Sequence, residues 1–282
     1  MALTEEQVSL FASFEVRRAK EIDLSVLRRM SGPMVNGIED RNIINLFVSD
    51  KYLQDDLNGH LASFVVLAPN GVPMLFFALR CGELFERVNP EKMLVGRRFY
   101  DEIMGCMNNP QLSDEQKRDE IILIAGRMQS EGLSIDDVME LTSKQQSIKA
   151  DEALEVDKDL TRVSEVHPAI EIKFLGKNAA ANSYWKSLGL PEEKKMGETL
   201  FWVKVVDVIC QMMSMVGCEY VYLFAADNEA EGELVQYYRV RLNFGSNSKM
   251  SANKPHFDFQ SQFLFQSVKD LFAAQQTFIE NF

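Results

Sequence analysis

The sequence predicts a layered α/β or α+β fold, and three observations carry that prediction. An Asn-Gly turn joins two apolar runs, Leu61 to Ala68 and Met74 to Leu79. A long amphipathic stretch from Gly197 to Val216 lies between the strand-like segments Ala169 to Leu175 and Tyr220 to Ala225. A charged, helix-forming stretch of about residues 86–162 separates these two regions. The chain has 282 residues, 46% of them hydrophobic and 26% charged, enough for a large core in one elaborated domain or two.

Taken in order, Phe14 to Ala19 alternates as a short strand, and Asp23 or Ser25 caps a short helix carrying Leu24, Leu27 and Met30. Ser31-Gly32-Pro33 ends that helix. Ile43, Leu46, Phe47 and Leu53 recur at helical spacing. Pro69-Asn70-Gly71-Val72-Pro73 then reads as a hairpin turn, because type I′ turns need positive φ at both central residues and Asn-Gly tolerates it. In the charged stretch, Ser113-Asp114-Glu115-Gln116 and Ser134-Ile135-Asp136-Asp137 read as capping boxes. The first precedes Ile121, Ile122, Ile124 and Met128, expected to share one face. The whole segment is expected to be a helical insertion without a core of its own.

The second half predicts the strand Ala169–Leu175, an irregular segment Lys177–Lys195, and a helix from Gly197 whose apolar stripe is Phe201, Val205, Val208, Met212, Met215 and Val216. Gly217 takes the C-cap position, and the buried strand Tyr220–Ala225 completes a βαβ unit. Asp227-Asn228 opens a short helix through Tyr237 and Tyr238. Strand-like Val240–Phe244, a strand Phe257–Phe265 and a last helix from Val268 to Ile279 complete the chain.

Composition narrows the function. The net charge of −12 argues against a nucleic-acid partner, which needs a basic stripe to displace counterions. No apolar run approaches a membrane span, and the acidic start MALTEEQVSLF is unlike a signal peptide, so a cytoplasmic location is expected. The spacings of Cys81, Cys106, Cys210, Cys218, His60, His167 and His256 do not form a metal-ligand pattern. GxGxxG, GxxxxGK[ST], HExxH and GxSxG are all absent. The informative junction is Lys194-Lys195-Met196-Gly197-Glu198-Thr199 at the start of the long helix. Unpaired amides and a partial positive charge suit that position to phosphate oxygens, while Glu198 opposes them. A helix start after a basic loop that binds nothing is the plainer alternative.

These elements resemble the GNAT family of N-acetyltransferases, whose acyl-CoA loop reads [QR]-x-x-G-x-[GA]. The matching residues are Lys194 to Thr199, with Lys in place of Arg or Gln and Thr in place of the last Gly or Ala. Tyr220–Ala225, then Asn228, then Leu234 to Phe244 are similar to the family's strand, Asn and LYxxLGF sequence, with Asn243 at the position of its Gly. The resemblance covers about residues 13–82 and 165–275. It implies an acyltransferase domain of residues 1–85 and 163–282, a mixed sheet flanked by helices, and residues 86–162 inserted between the third and fourth strands.

It further implies acetyl-CoA as co-substrate, no metal, and an amine acceptor on a small molecule or protein. The cofactor would enter between two splayed parallel strands. Its pyrophosphate would rest on the backbone from Met196 through Gly197 and Glu198 to Thr199, near Lys194 and Lys195. Its amides would meet strand backbone near Phe174, and its arm would lie near Asn228. Glu171 is the candidate base, raised toward neutrality by apolar neighbours; the alternative is that strand alternation turns it to the face opposite Ile170 and Ile172, into solvent or a salt bridge. Tyr238 is the candidate proton donor to the leaving thiolate, with Tyr237 the neighbour expected in the core instead, since adjacent helical residues diverge; two aromatics that merely pack the helix on the sheet are the plainer alternative. If the insertion folds over the acceptor groove, its acidic residues favour a cationic amine. The degenerate loop and the insertion also fit a catalytically silent module that binds a protein partner.

Overall fold

The structure, a computed structural model, describes residues 3–35, 38–88, 90–138, 162–226, 232–247, 250–253 and 261–282. The chain divides into two compact units, one of Met1–Leu84, His167–Asn247 and Ala252–Phe282, the other of Phe85–Val166 and Ser248–Ser251.

The first unit opens with α1 (Glu5–Ala12), in a stretch whose composition reads only as a polar segment. Its start is a reciprocal capping box: Thr4 accepts from the Gln7 N–H and the Gln7 side chain accepts from the Thr4 N–H. Strand β1 (Glu15–Arg18) leads to α2 (Leu24–Leu27), capped by Asp23, and to the small ribbon β2 (Met34–Val35) and β3 (Ile38–Glu39). Helices α3 (Asn42–Phe47) and α4 (Asp50–Leu57) precede the hairpin of β4 (Ala62–Leu67) and β5 (Pro73–Val88). The hairpin forms, but not through the two-residue type I′ turn expected at Asn70-Gly71: Asn70 keeps a negative φ and only Gly71 of the pair is left-handed. Gly71 takes φ 79° and its N–H reaches the Ala68 carbonyl at 2.8 Å.

Helices α5 (Pro90–Met107) and α6 (Asp114–Ser130) belong to the second unit. After β6 (Arg162–Lys177), the segment expected to be irregular contains α7 (Asn182–Ser187). Helix α8 (Met196–Val216) comes next, then β7 (Tyr220–Ala225), α9 (Glu233–Leu242), β8 (Met250–Ala252), β9 (Gln262–Ser267) and α10 (Val268–Glu280). The sheet order is β1-β4-β5-β6-β7-β9, with β8 paired to β5.

Two apolar layers sandwich this sheet. On one face Phe77, Leu79, Ile170, Ile172, Val221, Leu223 and Leu264 pack with α8, α9 and α10. On the other, Val65, Leu67, Phe76, Ala78 and Phe174 pack with Leu27, Met30, Ile44 and Phe47. Phe174 falls on the second face although Ile170 and Ile172 lie on the first, so the two-residue pleat of β6 is interrupted between Ile172 and Phe174.

Three further expectations for the first unit need correction. Helix α8 contains a π-helical turn, Phe201–Val205, that shifts the helical phase of its C-terminal half by one residue. Its buried stripe is therefore Phe201, Val205, Val206 and Ile209, while Met215 and Val216 are exposed. Val240–Phe244 is not a strand: Val235, Tyr238 and Leu242 bury at helical spacing, and Asn243 ends α9 in the left-handed region at φ 58°. By length and composition α8 is also apolar enough to cross a membrane, contrary to the sequence expectation, but half of that window is buried inside this unit. Of the expected strand Phe257–Phe265, residues 257–260 lie outside the described residues.

In the second unit α5 and α6 pair. The Ser113–Gln116 capping box forms, and Ser134 and Asp137 cap each other in the same way. Contrary to expectation the segment has its own apolar cluster: Phe99, Cys106, Ile124, Met128, Leu133 and Val138. Ile124 and Met128 share the buried face, but Ile122 is 61% exposed because two helical steps turn it about 200° away.

Ile209 is fully buried on α8, so Ile209→Ala is expected to cost about 2–5 kcal/mol, read as a lower denaturant midpoint at unchanged slope.

Candidate acyl-CoA cleft and helix start

Strands β6 and β7 are parallel neighbours joined by three pairs: Ala169↔Tyr220, Ile170↔Val221 and Glu171↔Tyr222. Strand β7 stays paired with β9 as far as Ala225↔Gln262, and β6 remains beside β5. Among the described residues, the ladder between β6 and β7 therefore ends at Glu171 while both strands continue. Phe174 lies beyond that end, its ring edge-on to Tyr52 at 4.8 Å and to Phe47 at 6.2 Å.

Glu171 occupies the last rung and is 2% exposed. Its Oε2 accepts from Arg80 Nε at 2.5 Å and from the Tyr222 hydroxyl at 3.4 Å, and Lys173 Nζ is 3.7 Å from Oε1. Of the two sequence alternatives, the structure matches the salt-bridged one: the cost of burying this carboxylate is offset by two cations and a phenol. Burial pushes the Tyr222 hydroxyl well above its usual value, with Glu171 adding to the rise. Burial also draws the Lys173 ammonium down, against the pull of Glu171. Sequence reasoning does not single out Tyr222, Arg80 or Tyr52. Tyr222 has a local signal, since alternation along β7 places it level with Glu171 once the two strands are paired.

The start of α8 is assembled separately. Met196, Glu198 and Thr199 are buried there, and Lys195 precedes the first turn without a side-chain cap. The Thr199 Oγ1 finds no hydrogen-bond partner among the described residues, and such buried orphans are rare. A Cβ on Gly197 would come within 3.2 Å of the Tyr237 hydroxyl, so α9 packs closely over this turn. Burial pushes the Glu198 carboxyl up, while Arg241 and Lys194 pull it back; the Arg241 Nη1 lies 3.8 Å from Oε2. Lys194 is tied elsewhere, its ammonium 3.3 Å from the Asn281 carbonyl and over the Phe282 ring at 4.5 Å. Lys195 is exposed.

Tyr238 sits in the core at 8% exposure, its ring edge-on to Phe244, and burial pushes its hydroxyl up to about 12. Tyr237, one helical step away, is the tyrosine whose hydroxyl reaches Gly197. Asn228 lies outside the described residues.

No family model matches the sequence, and none of the curated proteins matches it. Among solved structures the chain is similar to AtaTR bound with acetyl-CoA, at 13% identity and TM-score 0.46, covering 93% of this chain and 97% of that one. It is similar to a bacterial toxin at 10% identity and TM-score 0.47, covering 93% and 95%. It is similar to AtaT complexed with acetyl-methionyl-tRNAfMet at 11% identity and TM-score 0.40, covering 93% and 98%. A further similar structure is the KacTA-DNA complex, at 11% identity and TM-score 0.36, so the neighbours themselves include complexes with tRNA and with DNA and lend the expectation of no nucleic-acid partner no support. Net charge is a sum over the whole surface and does not report local basic patches. At such identities and TM-scores no chemistry is carried over, and the site stands on its own geometry.

Because burial raises the Glu198 carboxyl, the neutral form is favoured on folding. Its contribution is complete below the ordinary carboxylate value and is lost as pH rises through the raised one. Glu198→Gln is therefore expected to melt higher than wild type at pH 7, with the difference gone at about pH 4, measured as Tm at both pH values.

Proposed function

We propose that the chain is an acyl-CoA-dependent N-acetyltransferase that moves an acetyl group from acetyl-CoA to an amine by direct attack. The single observation behind this reading is the three-rung ladder between β6 and β7, which ends at Glu171 while both strands continue. Strand backbone beyond that rung, near Phe174, suits the amide groups of a pantetheine arm. The first turn of α8, with its uncapped amides, Gly197 and the unpartnered Thr199 hydroxyl, suits the pyrophosphate.

In this reading Glu171 takes a proton from the ammonium of the acceptor, its carboxylate oriented by Arg80 and Tyr222. The freed nitrogen forms a bond to the thioester carbonyl carbon, the C–S bond breaks, the thiolate takes a proton from a donor hydroxyl, and the nitrogen's remaining extra proton restores that donor as the amide forms. Tyr238 is the donor expected from the sequence for that proton. Burial makes its hydroxyl a reluctant one, and Tyr237 beside Gly197 is the competing group.

Two measurements test the proposal. Acetyl-CoA at a hundred times its Kd should stabilise the protein by about 2.7 kcal/mol, seen as a rise in Tm; no rise at millimolar cofactor leaves the silent binding module. Thiol release is then followed with a panel of a small amine, a lysine peptide and an aminoacyl-tRNA. Glu171→Gln should lower kcat about 100-fold with cofactor affinity unchanged. Tyr238→Phe should lower kcat if that hydroxyl is the donor, and unchanged turnover would pass the role to Tyr237.

A further inference from the structure

The segment joining β6 to α8 lines an open cavity of about 650 Å³. Lys177, Lys186, Lys194 and Lys195 line it against one carboxylate, Glu192, in a chain whose net charge is −12. We propose that this cavity is a phosphate-reading subsite that makes the protein selective for CoA thioesters carrying the ribose 3′-phosphate. The inference rests on the acyltransferase reading and adds to it a determinant of co-substrate choice.

Position, size and rigidity support it. Lys195 and Met196 line the cavity and also lead into the first turn of α8, so a pyrophosphate held there would set the adjoining nucleotide at the cavity mouth. The volume is that of an ordinary small-molecule site. Leu190, Pro191 and Trp185 give apolar wall for a base, and the lysines give charge for a phosphate. The walls are pinned at both ends. Asn178 Nδ2 donates to the Pro73 carbonyl at 2.7 Å and its Oδ1 accepts from the Ser31 N–H at 2.8 Å. Trp185 Nε1 donates to the Lys194 carbonyl at 2.9 Å. Lys194 has other engagements with Asn281 and Phe282, and Lys195 leads into the α8 turn assigned to the pyrophosphate that both ligands below carry. That leaves Lys177 and Lys186, both exposed and in no ion pair with a described residue, as the discriminating cations.

The experiment is calorimetric titration of the full chain with acetyl-CoA and with 3′-dephospho-acetyl-CoA, in wild type and in the Lys177→Met/Lys186→Met double variant. The two ligands share thioester, pantetheine arm and pyrophosphate, and differ by one phosphate. Wild type should prefer acetyl-CoA by about tenfold or more, as charge-assisted contacts to a phosphate allow. The double variant should lose that preference while binding the dephosphorylated ligand within about twofold of wild type. Equal wild-type binding of both ligands, or a preference that survives in the variant, overturns the subsite and spares the acyltransferase reading. Binding of neither ligand by wild type overturns both.

Discussion

The short parallel ladder between β6 and β7 is the constraint around which the first unit is arranged. Each strand keeps its other neighbour, β5 for β6 and β9 for β7, so the sheet continues on both sides while its middle parts after Glu171. A parallel pair opened at one end exposes backbone donors and acceptors that must find partners in water or in a ligand. The interrupted pleat of β6 falls just past the last rung, where Phe174 turns to the opposite layer from Ile172. Packing on both faces holds the two strands in place without the ladder that would otherwise join them.

The ionic group at that last rung is compact and closely balanced. Glu171 is almost wholly buried, and its two cations arrive from adjacent strands, Arg80 from β5 and Lys173 from β6 itself. Tyr222 closes the set from β7, its hydroxyl lying so near Gly82 that a Cβ there would collide with it. The cluster thus ties three adjacent strands at the point where two of them separate. A buried charge set of this kind contributes little net stability against an apolar replacement.

A similar division between packing and polar geometry governs the start of α8. The helix is held by its apolar face, with the π-helical turn accommodating the extra residue between the cap region and the core stripe. Its first turn is consequently free of capping duty, and Gly197 lets α9 approach closely enough for the Tyr237 hydroxyl to lie over the backbone. Glu198 is the group in that turn that works against an anion, and Arg241 partly offsets it.

Local signals determined much of this protein by themselves. The Asn70-Gly71 turn, the capping boxes at Ser113 and Ser134, the Gly217 cap and the period-2 runs of β6 and β7 are short-range chemistry, and each element stands where those residues put it. The box at Thr4 carries the same kind of signal, inside a segment whose composition reads only as polar. Tertiary structure alone decided the rest. Whether Glu171 meets solvent or Arg80 depends on a residue 91 positions away, and no short window on the sequence contains both. The π turn in α8, the helical state of Val240 and Arg241, and the assignment of Tyr238 to the core and Tyr237 to Gly197 depend on which face the neighbouring layer buries. Periodicity gives the stripe, but packing selects its phase, because burial free energy is settled between elements rather than within one.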